Sequence, residues 1–575
     1  MKLFLSIVIS LVVLVGSLVG GTITFRDNDK IPDSKLGAVG VSLVMKDGLL
    51  VPGEQGKRYE LSELKPDTLA PTAINEILRA ISSFYQEQGI LATRAVVTKP
   101  AFERSRNGGD LQIVIQEGRI TEAKVVSAQG DYQVETSAID RIKGWVPLGA
   151  GDSVDVRRLD ETIGQSNRFS RQIVRPVLLP DDGGAIIEYR VKQLNEWAAG
   201  YTFDNYGTER TGQTRHTAKV DRWNFLMPND HIALNGTMST EGDAWSAGGS
   251  YTIPLDDISI DRLKIATYTS VYSAEDVGLG ATGIDFEGKS LGFKATYERT
   301  LLSHKGAYLD GVVGLHFLQA MQDQSSLGIP EAKTHYLLPS IGLRYAKSGI
   351  DSSWTLGAKL EGNLPSLADT DSGADLNRQG RLNASEDFLI GSLYGGYRTY
   401  LDKLLGRSGG RAHELSLFGS MTSSLGGDRL PPSFLGVLGG PYSVRGYPIG
   451  TLSGDRSGYL KTDYKFHLNR LGGQNASPEA GNDGGLRPKF AGDMPDFGIT
   501  LGAFFDIGSV SNEDRINAFE SDGTLSSAGV GLTLDFQGKY TLNLEHAWAL
   551  SEVMTSNHVI ESGDAETYLR FSAKW

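Results

Sequence analysis

The chain has 575 residues, a net charge of −13, 71 Gly, 20 Pro and no Cys. Its length exceeds one ordinary globular core, so two or more structural units are expected. The charge is spread without any basic run or basic–aromatic patch, which argues against nucleic acid as a partner, and the lack of Cys suits passage through an oxidising periplasm.

In chain order, residues 1–21 read as an export signal. Lys2 supplies the positive end, Leu3 to Val19 is apolar apart from Ser6, Ser10, Gly16 and Ser17, and small residues gather at Gly16, Ser17, Gly20 and Gly21. An uncleaved anchor is the alternative, because the run lies near the lower limit for spanning a bilayer. No later stretch approaches that apolar length, so any further membrane crossing must be made by a closed barrel, the other structure that satisfies every backbone hydrogen bond in lipid. Residues 22–37 are polar, contain Pro32 and lack periodicity, which predicts a linker.

Residues 38–120 predict a small α+β unit. Ile74, Ile77, Leu78, Ile81 and Phe84/Tyr85 recur at helical spacing, with Gly89 as the stop. Strands follow at Ala92–Thr98 and at Asp110–Glu117, where Leu111, Ile113 and Ile115 alternate with more polar positions. Residues 121–196 repeat the plan: a strand at Ala123–Ser127, an amphipathic helix at Val156–Phe169, and strands at 172–179 and 185–191 across the turn Asp181-Asp-Gly-Gly184.

From Trp197 to Trp575 the pattern becomes alternating strands separated by turns rich in Gly, Asp, Asn and Ser. In 499–508, Ile499, Leu501, Ala503, Phe505 and Ile507 form an apolar face, against Thr500, Gly502, Phe504, Asp506 and Gly508. The last strand sets Leu569, Phe571, Ala573 and Trp575 against Tyr568, Arg570, Ser572 and Lys574. One face suits lipid and the other a polar lumen; a soluble β-sandwich edge is the competing reading. At about 24 residues per strand and connection, the fold class is a membrane all-β barrel of about 16 antiparallel strands.

The sharpest motif is Leu438-Gly-Gly-Pro-Tyr-Ser-Val-Arg-Gly-Tyr447, followed by Leu452-Ser-Gly-Asp455. With Phe504-Phe-Asp506 downstream, it resembles the outer-membrane transporters of two-partner secretion, which export haemolysins and filamentous adhesins. The resemblance covers nearly all of the chain after the leader. It implies a loop around 430–455 folded into the barrel, with Val444, Arg445, Gly446 and Tyr447 at its tip and Phe504 and Asp506 on the inner wall. Elementary physics agrees, because a buried arginine needs an anion and Asp506 falls on the polar face. A guanidinium–carboxylate pair can also be bidentate.

Further matches are Phe203-Asp-Asn-Tyr-Gly207 with Thr211-Gly212, Asn229-Asp230 and Tyr251-Thr-Ile-Pro-Leu255. Phe84-Tyr-Gln-Glu-Gln-Gly89, Thr93 and Val114–Ile120 resemble the first polypeptide-transport-associated (POTRA) domain of these transporters, and 121–196 the second. The client-binding region is thereby expected at Tyr85, Gly89, Thr93, Glu117 and Gly118. Three features depart from the family pattern. Ala101-Phe102 follows Lys99-Pro100, where the family often shows Pro-x-Gln; the linker is too short for the plug helix of some members; and 472–496 is a long Gly-, Asn- and Pro-containing insert.

The resemblance implies a pore that recognises an unfolded exoprotein in the periplasm and exports it, with activation of that client left open. The partners are a secreted client of the large β-helical adhesin or haemolysin type, and outer-membrane lipid. A barrel-assembly factor of the same superfamily is the first rival. A passive porin is the second, although it has no need of residues 38–196. There is no His-Glu-x-x-His run, and neither nucleotide, metal or other cofactor nor catalytic residues are expected.

Overall fold

The computed structural model describes residues 21–575 apart from 92, 129, 131, 182–183, 275–285, 325–328, 369, 371–373, 403, 407–410, 471–495, 517–519 and 555–558. The expected signal therefore lies outside the described residues, save Gly21. So does the 472–496 insert, save Asp496. The chain divides into two compact units, one running to Asn167 with Gln172–Gln193, the other holding Arg168–Arg171 with Leu194–Trp575.

The first unit contains two α+β cores. In chain order it begins with β1 (Ile23–Arg26), α1 (Asp33–Gly37), β2 (Gly40–Lys46), β3 (Leu49–Pro52), β4 (Lys57–Glu60), α2 (Pro71–Glu87), β5 (Arg94–Val96), α3 (Lys99–Arg106) and β6 (Leu111–Gln116). Helix α2 starts on Pro71, whose missing N–H is no loss at a helix start. It buries Ile74, Ile77, Ile81 and Tyr85 in one core with Leu111, Ile113 and Ile115 of β6. Gly89 takes φ +85° just beyond the helix. The periodicities at 74–85 and 111–115 thus mark the faces that pack together.

The expected linker at 22–37 is a correction. Strand β1 pairs in parallel with β6, from Ile23↔Leu111 to Arg26↔Val114, and Ile31 and Leu36 are buried in the same core. A four-residue strand whose partner lies 88 positions away leaves no local period to read. The strand expected at 92–98 contracts to β5, because Lys99 and Pro100 open α3 and the Thr98 hydroxyl caps it at Ala101 N. Strands β2 to β4 and helix α3 were not anticipated.

The second core comprises β7 (Arg119–Ser127), α4 (Thr136–Trp145), α5 (Val156–Phe169), β8 (Gln172–Asp181) and β9 (Gly184–Gln193), with sheet order β7-β9-β8. Helix α5 has the expected bounds, while α4 was not anticipated. Asp181 pairs with Gly184 as a hairpin requires, although residues 182–183 lie outside the described ones. Ile120 packs in this second core, which moves the boundary from 120/121 to the connection between Gln116 and Arg119.

The second unit is a closed antiparallel barrel. Its strands begin with β10 (Trp197–Asp204), β11 (Arg215–Trp223), β12 (His231–Ser239), β13 (Ala244–Pro254) and β14 (Asp261–Ala274). They continue with β15 (Phe286–His304), β16 (Ala307–Gln324), β17 (Ile329–Ser348), β18 (Ser352–Gly362), β19 (Leu389–Tyr400) and β20 (His413–Ser424). A loop carrying β21 (Gly436–Leu438) and β22 (Leu452–Gly454) intervenes. Then come β23 (Arg456–His467), β24 (Phe497–Ser511), β25 (Gly523–Phe536) and β26 (Tyr540–Ala549); after the short pair β27 (Val553–Met554) and β28 (Val559–Ile560), β29 (Ala565–Lys574) completes the ring. Leaving aside β21, β22, β27 and β28, sixteen strands form the barrel, as the length implied.

Burial follows the alternation. Leu501, Phe505 and Ile507 of β24 are exposed, whereas Phe504 and Asp506 are buried on the opposite face. An apolar outer surface and a polar interior are what lipid outside and a lumen inside require. Strands β29 and β10 close the ring over five pairs, Gly200↔Lys574 to Asp204↔Arg570. The terminal Trp575 extends this seam, exchanging backbone hydrogen bonds with Ala199 at 2.9 and 3.1 Å.

The corrected linker gives a stability prediction. Leu36→Ala empties a fully buried site, which costs about 2–5 kcal/mol, whereas a linker substitution changes stability by under about 0.5 kcal/mol. In the intact protein held in lipid nanodiscs, the urea concentration at which protease cuts residues 21–193 should fall. An unchanged midpoint would return 22–37 to the status of a linker.

Candidate functional site: the lumen arginine clasp

The loop between β20 and β23 is built to reach inward. Its stem is the β21–β22 pairing, Gly436↔Gly454 to Leu438↔Leu452. Beyond the stem, Gly440 N donates to Tyr447 O (2.8 Å) and narrows the turn. Leu438, Val444, Tyr447 and Leu452 pack in one apolar cluster with Val510 of β24, Leu525 of β25 and Ala549 of β26. The tip is therefore held against the wall by hydrophobic contact before any charge is considered.

Arg445 is 2% exposed and Asp506 fully buried. Arg445 Nε donates to Asp506 Oδ2 at 2.7 Å and Nη2 to Oδ1 at 2.8 Å, a bidentate pair, and the Arg445 backbone N–H adds a third bond to Oδ2 at 3.1 Å. The guanidinium also meets Glu545 of β26 at 3.1 Å and Asp463 of β23 at 3.0 Å. Its Cζ lies 3.5 Å from the centroid of the Phe504 ring, so the two lumen-facing members of the Phe504–Asp506 motif serve one cation, one through its face and the other through its charge.

Val444 and Tyr447 anchor the flanks. Tyr447 is fully buried, and its hydroxyl lies 2.8 Å from the backbone oxygens of both Ser526 and Ser551, either of which can accept its one proton. Gly446 takes φ +84°, and a Cβ there would approach the Trp548 carbonyl carbon to 3.0 Å. Only glycine lets the backbone turn so close to β26. Its N–H donates to the Tyr568 hydroxyl on β29 at 3.1 Å.

The tip also reaches the first strands of the barrel. Tyr442 sits edge-on to Tyr206, and its hydroxyl accepts from Arg215 Nη2 at 2.9 Å. Tyr206 in turn sits edge-on to Tyr568. Arg215 and Arg570 flank Asp204 at 3.2 and 3.7 Å.

The structure thus brings together all four tip residues with Phe504 and Asp506. Asp463, Glu545 and Tyr568 were missed. Asp463 is register-paired with Phe504, and Glu545 and Tyr568 pair with each other, so polar residues on the lumen side of β23, β26 and β29 were the available signal.

The residues expected to meet a client are not assembled into one surface. Tyr85 is fully buried and Thr93 nearly so, which makes both core residues. Burial, with the Glu117 carboxylate beside it, pushes the Tyr85 phenol up. Gly89 O accepts from Val156 N at 2.7 Å, a tie between the two α+β cores, and Glu117 accepts from Lys30 N at 3.1 Å. Glu117 and Gly118 are half-buried. Among the described residues, no group of three His, Asp or Glu side chains is placed to hold a metal.

The family model of the haemolysin secretion/activation proteins ShlB/FhaC/HecB matches residues 183–489. The outer membrane transporter CdiB of Dickeya dadantii is 23% identical over 431 residues, 69% of this chain and 67% of its own. The hemolysin transporter protein ShlB of Serratia marcescens is 23% identical over 523 residues, 89% of this chain and 82% of its own. Among solved structures, CdiB from Escherichia coli has a TM-score of 0.69 at 17% identity, covering 97% of this chain and 90% of that one. CdiB from Acinetobacter baumannii has a TM-score of 0.60 at 15% identity, covering 99% and 97%. These two likenesses establish the fold: a closed barrel preceded by small α+β units. The family match spans more than half of the residues, and the chain belongs to the haemolysin secretion/activation protein family of outer-membrane transporters.

Proposed function

We propose that this protein is a two-partner secretion pore that takes an unfolded exoprotein from the periplasm and passes it through the barrel, with no catalytic step. The observation that carries the mechanism is the Arg445 tip, held inside the barrel by Asp506, Asp463 and Glu545. A tip bound to the wall occupies space that a polypeptide in transit needs, so export requires it to shift. Its attachment is made of apolar, ionic and hydrogen-bonded contacts, all non-covalent, which can be re-formed after each passage.

The α+β units precede the barrel and form the arm that meets the client. Their sheets, β1-β6-β5, β3-β2-β4 and β7-β9-β8, each leave outer strands paired on one side only within their own sheet. An extended client can add there as a further strand, because main-chain hydrogen bonds give affinity with little sequence demand. With Tyr85 and Thr93 buried, recognition rests on such edges and on the rim near Glu117 and Gly118. The client is a secreted protein of the kind that the haemolysin and CdiB transporters serve, large and β-helical. Folding of that client outside the cell supplies the drive.

Two outcomes test this reading. Arg445→Ala leaves Asp506 buried and unpaired, a loss of about 3–5 kcal/mol for a buried ion pair. Export of the client encoded beside this protein should then fall at least tenfold while the barrel still reaches the outer membrane; full export would overturn the role of the tip. Deleting residues 22–117 should leave a barrel that conducts ions in a planar bilayer and no longer secretes. Normal secretion by that variant would remove the arm from client recognition.

A further inference from the structure

The clasp at Arg445 holds the tip of the in-folded loop, but a second and separate ion cluster grips its neck. The connections after β18, β20 and β24 follow the ninth, eleventh and thirteenth strands of an up-and-down ring, so all three leave the same rim. Arg381, from the connection after β18, donates Nη1 to Asp455 Oδ1 and Nη2 to Oδ2, each at 2.6 Å. Asp455 immediately precedes β23, where the loop re-enters the wall. The other leg passes through Leu430, whose N–H donates to Asp455 Oδ1 at 2.6 Å while its carbonyl accepts from Arg381 Nη1 at 2.7 Å. Both legs of the loop are thereby gripped by one guanidinium–carboxylate pair.

The connection after β24 joins the same cluster. Glu520 accepts from Arg381 Nε at 3.1 Å and from Arg429 Nη2 at 2.6 Å, and Glu513 N donates to Asp455 Oδ2 at 2.8 Å. Arg429 also donates to the carbonyls of Leu382, Glu513 and Asp514. Arg381, Arg429 and Asp455 are all buried. Burial alone would raise the Glu520 carboxyl, but the Arg429 and Arg381 donors and the Ile516 N–H outweigh it and hold the group at about 2. Burial likewise opposes ionisation of Asp455, and its bonds to Arg381, Leu430 and Glu513 bring it below the usual carboxylate range. The cluster is two cations and two anions with their hydrogen-bonding groups engaged, far more than an exposed pair needs or supplies.

We propose that Arg381, Asp455, Glu520 and Arg429 are positioning residues that clasp the neck of the in-folded loop and thereby set where Arg445 lies in the lumen. Neck and tip are joined by the β21–β22 ladder, which transmits a displacement at Leu430 and Asp455 to Val444 and Arg445. The placement of the tip then depends on a cluster that does not touch it. This inference rests on the reading of the tip as the movable obstruction of the pore.

The lack of native Cys makes the test direct. In the full-length protein in lipid nanodiscs, a Cys introduced by Ser443→Cys at the buried tip is labelled with a water-soluble maleimide. Arg381→Gln and Asp455→Asn should each raise the labelling rate at least tenfold. Glu520→Gln, which keeps the Arg381–Asp455 pair, should raise it less, and Arg381→Lys should recover part of the protection, since lysine keeps the charge without the bidentate fork. Arg411→Gln, which breaks the Asp351 pair between the connections after β17 and β19, should leave the rate unchanged. An unchanged rate in Arg381→Gln, in protein whose barrel still runs as the compact form on unheated gels, overturns the proposal. So does an equal rise in Arg411→Gln, because general loosening would then explain the effect. The labelling needs no client: a freed tip with normal export would defeat the proposed export role of the tip while the neck clasp stood.

Discussion

A buried guanidinium that has left water must find its anions in the protein, and in this barrel that constraint organises the lumen. Arg445 is attached to three carboxylates on three strands, β23, β24 and β26. Each alone would lie on a polar inner wall and be solvated. Together they form a receptor for a single cation delivered by a loop from the rim. The excess of negative charge is relieved by Lys461 on the same wall, which also donates to the loop backbone at Pro441 O (2.6 Å). The arrangement is costly if one partner is removed and stable when complete, and that asymmetry suits the proposed role of the tip as an obstruction that stays in place between transport events.

The barrel makes this possible because its two faces solve different problems. Outward residues such as Leu343, Leu393, Phe505 and Ile507 are exposed apolar groups that only lipid can cover. The strand period of two then sends their neighbours inward, and polar side chains placed there meet one another across the lumen. Closure at β10 and β29 rests on the shortest of the barrel-wall pairings, five residues, and the tip loop touches this region through Tyr442 on Tyr206 and Gly446 on Tyr568. The loop therefore links walls that the hydrogen-bond ladder joins least.

What the sequence made legible follows from the range of the interactions concerned. Helix α2 and strand β6 were read correctly because their periods are local and repeated, as was the inward placement of Asp506. The Arg445–Asp506 pairing came from a resemblance, supported by alternation on one strand. Asp463 and Glu545 were as accessible in principle, yet a single acid in a strand has no partner until the ring is closed. Tyr85 shows the opposite failure: an aromatic residue near a helix end suits either a core or a contact surface, and only the β6 packing decides between them. The segment 22–37 was misjudged because a four-residue parallel strand takes its meaning from residues 111–114 and carries none in its own pattern.

The neck cluster was invisible for the same reason in stronger form. Arg381 and Arg429 lie in irregular connections, where no period marks a side chain as inward, and Arg381 meets Asp455 at a sequence separation of 74. Yet the physics at neck and tip is alike: a bidentate arginine–aspartate pair, fully buried, with backbone N–H groups completing the carboxylate's bonds. A loop held at one end only would sample many positions in a wide lumen. Held at both, with a hydrogen-bonded stem between, it has two discrete ways to yield: release at the tip leaves the stem standing at the rim, and release at the neck lets the stem shift and draws the tip with it. A device that must clear a path and then return to one position needs the first kind of release, and the heavier investment of hydrogen bonds at the neck favours it.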